Sequence, residues 1–256
     1  MTATEKINFP SSGIKAAGIL FPPNYSPQAK YPAIVIAHPM TAAKEQSPSL
    51  YALTLAPAGY IVLTYDAVYQ GESEGQPRYL EDPNQRAEDV RAARLGALGI
   101  CASGGYVPYA AQTDLRIKAV ATVSAVCTGR MTRDGLMPGL GGPEAGEEAP
   151  VNPSLPPTVD VVPTEAPADI KTLADYKTPR GQHERAPGIF ATRSASLLGN
   201  FDAFAFNNLI SPRPLLMIAG EDAGTKFYSE IGVSAAKQPK ELLIVPGRDH
   251  AALYDN

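Results

Sequence analysis

Cysteine is scarce in this chain: Cys101 and Cys127 are the only two among 256 residues. A disulfide framework is therefore not what stabilises it, since a chain of this length can build a sufficient core without staples. Parity would allow one bridge between them. Met1 to Pro10 carries Glu5 and Lys6 and lacks an apolar signal region, so the expected setting is cytoplasmic and reducing, with both thiols free. No apolar run approaches the roughly 20 residues that a membrane span requires. There is no basic run and the net charge is −4, which leaves no electrostatic footprint for nucleic acid or an anionic membrane. No internal repeat is present, and neither a metal nor a cofactor is expected.

What is present is ordinary for a globular protein, with 44% hydrophobic and 19% charged residues. Proline is abundant, and Pro138, Pro143, Pro150, Pro153, Pro156, Pro157, Pro163 and Pro167 fall in one Gly- and Glu-rich stretch that excludes regular sheet or a long helix. The rest alternates. Ile7–Phe9 and Gly13–Phe21 suggest two antiparallel strands joined by a turn at Pro10–Gly13. Ala33–Ala37 and Tyr60–Tyr65 are short, β-branched, continuously apolar runs of the kind found in buried parallel strands. Further strands are expected at Leu95–Ile100, Ile117–Val126, Pro214–Ala219 and Glu241–Val245. Helices are expected from Ser47, which would cap the first turn ahead of Pro48, and over Asp82–Ala93, Cys101–Ala111 and Thr225–Ala236. This alternation predicts one α/β domain over residues 1–256, a mostly parallel sheet covered on both faces, with a Pro-rich cap inserted at about 128–190. In such sheets ligands bind beyond the carboxyl ends of the strands, so the residues there carry the functional signal.

Gly99-Ile100-Cys101-Ala102-Ser103-Gly104-Gly105 lies between a strand and a helix. A sharp strand-to-helix turn needs small residues two before and two after its apex. With Cys101 at the apex these are Gly99 and Ser103, and the sulfur sits at a helix N-terminus that favours thiolate. A second register places Ser103 at the apex, and a third reading makes Cys101 a buried residue without chemistry. His250 follows the last strand, where an imidazole can reach across the sheet edge as a base; otherwise it is a solvated loop histidine. The loop after Leu215–Gly220 offers Glu221 and Asp222 as an orienting acid. Asp222 is preferred for its shorter side chain, although both also suit a solvated turn. The oxyanion donors are expected to be the backbone N–H of Ala102 and, because Pro39 has none, that of Met40. His38 ends a strand and is expected to shape the loop beside the nucleophile.

Together these residues resemble the α/β-hydrolase superfamily, and within it the dienelactone-hydrolase-like branch, close to bacterial hydrolases related to fungal polyketide transferases. The resemblance is carried by His38-Pro39, Lys44-Glu45-Gln46, Asp66 with Gln70-Gly71-Glu72-Ser73, the Gly-x-Cys-x-Ser-Gly-Gly elbow, Thr178 to His183, and His250 with Leu253-Tyr254-Asp255. It covers most of the chain. Ser103 stands where glycine is common, α-helical sequence ending near Ala93 runs almost directly into the next strand, and six residues follow His250 where the family carries a closing helix. The resemblance implies a hydrolase acting on small ester, lactone or thioester substrates through an acyl-enzyme on Cys101. Alternatives are an acyl (polyketide) transferase on the same site, a Ser103-based esterase, and a ligand-binding protein without catalysis. Lys44, Glu45, His38, Tyr176, Arg180 and His183 are candidate substrate contacts. The oligomeric state stays open, a homodimer included.

Overall fold

The apolar runs fold into one sheet. The structure is a computed structural model, and it describes residues 3–24, 29–93, 96–135, 158–160 and 181–255. In chain order the strands are β1 (Glu5–Ser11), β2 (Ile14–Phe21), β3 (Ala33–Ala37), β4 (Ile61–Tyr65), β5 (Gly96–Ile100), β6 (Val120–Val123), β7 (Thr158–Asp160), β8 (Ile189–Ala191), β9 (Leu215–Gly220) and β10 (Lys240–Val245). Eight form a sheet in the order β1-β2-β4-β3-β5-β6-β9-β10, while β7 and β8 pair separately. β2 pairs antiparallel with β1 and with β4, and all other neighbours in the large sheet are parallel. This is the mostly parallel α/β-hydrolase sheet with antiparallel N-terminal strands.

The helices are α1 (Ser47–Leu55), α2 (Pro83–Ala93), α3 (Ser103–Thr113), α4 (Thr128–Asp134), α5 (Ser194–Leu198) and α6 (Lys226–Ala235). Side chains alternate across a strand, so Met217 and Ile218 point to opposite faces. α6 packs on the Met217 side, where a Cβ on Gly232 would strike the Met217 sulfur. α1 lies on the other side, where Tyr51 and Leu55 border a groove of about 520 Å³ lined also by Ile34, Leu98, Ala121 and Ile218. The central strands bury Val35, Ile36, Val62, Ile100 and Val123, which is why their sequences are apolar without alternation. Among the described residues no helix is long and apolar enough to cross a membrane, and both cysteines are free and buried.

The connection from β3 through α1 leads to β4 on one side, whereas β4 through α2 leads back to β5 on the other. The switch point therefore lies between the carboxyl ends of β3 and β5, where the following loops diverge and leave a crevice.

Several boundaries differ from expectation for local reasons. Pro10 and Ser11 belong to β1 and pair with Lys15 and Ile14, so the turn is only Ser12–Gly13, at φ +48° and +80°. Such a two-residue turn matches strand twist, and β1 is an edge strand, where proline is tolerated. Gln46, not Ser47, precedes α1, and its Oε1 accepts the Ala43 N–H at 2.8 Å. α3 begins at Ser103 because Cys101 holds a left-handed backbone that no helix accepts. β6 is shorter than Ile117–Val126. Residues 94–95, which join α2 to β5, and most of the expected cap at 128–190, with Tyr176 and Arg180, lie outside the described residues.

Candidate active site

Cys101 follows β5 directly and sits at φ +56°. A non-glycine residue pays roughly 1 kcal/mol or more for that conformation and keeps it only if its surroundings enforce it. They do. The Cys101 N–H bonds to the Val123 carbonyl at 2.9 Å, and its own carbonyl accepts the N–H groups of Gly104 at 2.8 Å and Val126 at 2.9 Å. A Cβ on Gly99 would overlap the Ser103 carbonyl, and one on Gly104 would strike Ala125. Thr41 at φ +58° and Ser124 at φ +48° flank the same edge after β3 and β6.

The sulfur is nearly enclosed, with Cys101 only 8% exposed. The backbone N–H groups of Ala102 and Met40 and the hydroxyl of Tyr254 lie close enough to act on it. Burial pushes the thiol above its ordinary pKa, and these three groups oppose but do not overcome that effect.

His250 lies in the loop after β10. Gly220 lets this loop approach β9, because a Cβ there would overlap the Arg248 carbonyl, and Ser124 Oγ donates to the His250 carbonyl at 2.8 Å. The ring is buried. Its Nε2 is 2.8 Å from the Tyr254 hydroxyl, and its Nδ1 is bonded to Thr225 Oγ1. Burial pulls its pKa down to about 4, against a weak pull upward from Asp249. Thiol and imidazole thus converge on one hydroxyl, that of Tyr254. Asp222 is exposed, its N–H held by the Arg248 carbonyl at 3.0 Å. The residue at His250 Nδ1 is instead Thr225, three positions further along.

Ser103 is turned elsewhere. Its buried Oγ donates to the His38 carbonyl at 2.5 Å and accepts from Arg86 Nη2 at 2.9 Å. His38 is fully buried; Nδ1 lies 2.6 Å from the Pro39 carbonyl and Nε2 accepts the Ala67 N–H at 3.0 Å. That pattern requires the neutral ring with its proton on Nδ1. Burial and then the Arg86 charge hold its pKa well below the ordinary value.

No model of a known protein family matches the chain. Whole-chain relatives do. The uncharacterized protein YcjY of Escherichia coli (strain K12) is 37% identical over 276 residues, spanning 97% of this chain and 90% of YcjY. The crystal structure of the hypothetical protein PA2218 from Pseudomonas aeruginosa superposes with a TM-score of 0.88 at 32% identity, covering 99% of this chain and 88% of that one. The α/β hydrolase GrgF from Penicillium sp. sh18 shares the fold at a TM-score of 0.76 and 20% identity, over 97% of this chain and 91% of GrgF. The chain belongs to the family of YcjY and PA2218 and has the α/β-hydrolase fold.

Within this fold, the candidate contacts Lys44 and Glu45 form an ionic brace beside the crevice. Lys44 is fully buried, and its Nζ meets Asp66 at 2.6 Å, Glu72 at 2.7 Å and Glu45 at 3.0 Å. Burial works against its charge, but the carboxylates prevail and its pKa sits above the ordinary value. Three carboxylates engage all three of its N–H donors. Asp66 also accepts the backbone N–H of Lys44 and of Glu72, each at 2.8 Å. Gly71, at φ +47°, permits this, since a Cβ would overlap the Asp66 carboxylate. Glu45 continues the chain to Arg185 at 2.5 Å, with His183 Nε2 at 3.9 Å, and Gln46 Nε2 donates to the Gly181 carbonyl at 2.6 Å.

Sequence reasoning assigned no role to Tyr254 or Thr225. For Tyr254 a signal existed: it stands four residues after His250, a spacing that stacks side chains within one turn. Thr225 gave none, because a hydroxyl residue at the foot of a helix has many bland explanations.

Proposed function

We propose that this hydrolase cleaves small ester or thioester substrates through an acyl-enzyme on Cys101, with His250 as the base. The observation that carries the reading is the convergence at the sulfur of two backbone N–H donors and a hydroxyl bonded to His250. A substrate carbonyl beside the sulfur would present its oxygen to the Met40 and Ala102 N–H groups, which suits them to the developing oxyanion. Burial keeps both thiol and imidazole neutral at rest. Deprotonation therefore accompanies attack instead of preceding it. With Nδ1–H directed at Thr225 Oγ1, Nε2 accepts from the Tyr254 O–H, and a lone pair of the phenol oxygen accepts from the thiol. As the S–C bond forms, the thiol proton passes to the Tyr254 oxygen and the phenol proton to Nε2, while the carbonyl π pair moves onto oxygen. Collapse expels the alcohol or thiol, protonated by the imidazolium. Water, deprotonated by His250, then attacks the acyl carbon; collapse breaks the S–C bond, the imidazolium proton returns to the Cys101 sulfur through Tyr254, and the acid is released.

The test is turnover of p-nitrophenyl acetate and a short-chain acyl thioester, with the adduct mapped by peptide mass spectrometry. The acyl group is expected on Cys101, and Cys101→Ala should lose at least about 10³-fold in turnover while melting like the parent. Full activity in Cys101→Ala, or an adduct on Ser103, would overturn the assignment.

A further inference from the structure

Arg86 has no part in the proton path, yet its guanidinium is buried between the two segments that carry the oxyanion donors. It comes from α2 and is 3% exposed. Its Nη2 donates to the His38 carbonyl at 2.7 Å and to Ser103 Oγ at 2.9 Å, and Nη1 lies 3.0 Å from His38 Nε2. Ser103 closes the triangle by donating to the same His38 carbonyl at 2.5 Å. Glu81 Oε1 lies 3.4 Å from Nε, its carboxyl pushed up by burial and pulled back by Arg86, and the guanidinium lies 5.1 Å above the Tyr106 ring. Burial works against the cation, but Glu81 and its other neighbours outweigh that and hold Arg86 protonated.

His38 is two residues before Met40, and Ser103 is the residue after Ala102. The loop after β3 and the elbow after β5 belong to different parts of the chain, and they face each other at the switch point. We infer that Arg86 and Ser103 form a cross-brace that sets the separation of the Met40 and Ala102 N–H groups, making Arg86 a positioning residue for oxyanion stabilisation. This rests on the acyl-enzyme reading above. A planar guanidinium can hold the His38 carbonyl, the His38 ring and the Ser103 hydroxyl together, which an ammonium cannot do with the same geometry. Donors must sit 2.7–3.1 Å from the oxyanion, and a displacement of about 1 Å costs on the order of 10²-fold in rate.

The experiment compares the parent chain with Arg86→Lys and Ser103→Ala in four measurements: kcat and KM on an ester, the inhibition constant of an acyl trifluoromethyl ketone, the rate of Cys101 alkylation by iodoacetamide, and thermal melting. The ketone forms a tetrahedral thiol adduct whose oxyanion needs both donors, whereas alkylation forms no oxyanion. Arg86→Lys should lower kcat by about 10- to 100-fold with KM within about twofold, and ketone affinity should fall in parallel. Alkylation should stay within about twofold. Ser103→Ala should show the same pattern at about 3- to 10-fold, and it decides the question if Arg86→Lys does not fold. Unchanged kcat and ketone affinity in a folded variant would overturn the brace, as would alkylation falling in step with kcat. A parent chain that forms no acyl adduct and does not bind the ketone would instead overturn the acyl-enzyme reading, and the brace with it.

Discussion

The two buried histidines at the sheet edge have opposite surroundings. His38 is fixed from all sides. A carbonyl takes one ring nitrogen and a backbone N–H and Arg86 take the other, with the Lys44 ionic brace close by. His250 meets two hydroxyls, those of Thr225 and Tyr254, and among the described residues no carboxylate is bonded to its ring. Both rings are kept neutral by burial. Only His250 has partners that can each give or take a proton without moving the backbone. A backbone carbonyl and amide make a histidine structural, whereas hydroxyls leave it able to cycle a proton.

The sharpest way to break this contrast is to remove each ring in turn. His250→Gln should reduce kcat/KM by about 10²- to 10⁴-fold with little change in melting temperature. His38→Gln should chiefly lower stability, by about 1–3 kcal/mol, because the Ala67 N–H and the Arg86 guanidinium lose a buried acceptor. Equal kinetic losses in both would dissolve the distinction; kinetics and thermal melting together decide it.

The next effect is on stability against pH. In the unfolded chain each imidazole takes a proton near the ordinary value of 6.5, whereas folded His250 does so only near 4. Between these values the unfolded state binds more protons, so stability should fall as pH drops from about 6.5 to about 4, by a few kcal/mol. His250→Gln should flatten part of that slope in melting curves at stepped pH, and an unchanged slope would mean that the buried ring is not what titrates.

The smallest effects test what orients His250. Thr225→Val should cost about 5- to 10-fold in kcat, the equivalent of one lost hydrogen bond, whereas Asp222→Asn should stay within about twofold. The reverse order would restore Asp222 as the orienting group and make the Thr225 contact incidental.

The strands and helices were legible because a buried parallel strand must be almost continuously apolar, as Ala33–Ala37 and, but for Thr64, Ile61–Tyr65 are. The elbow was legible because its sterics are local: Gly99 and Ser103 are small for reasons contained within five residues of chain. The side chain bonded to His250 Nδ1 was not. Asp222 and Thr225 share one short loop, and which of them meets the imidazole depends on how the loops after β9 and β10 pack. Ser103 was ambiguous for a similar reason, since its fate turns on a carbonyl 65 positions away.

By itself the sequence determined the alternation of strand and helix and the position of the sharp turn at Cys101. These follow from local sterics and from the apolarity that burial demands. Only the tertiary structure decided that Tyr254 stands between sulfur and imidazole, that Thr225 takes the second ring nitrogen, and that Arg86 ties the loops after β3 and β5 together. Each of those contacts joins separate loops at the switch point, and no spacing along the chain encodes how such loops meet.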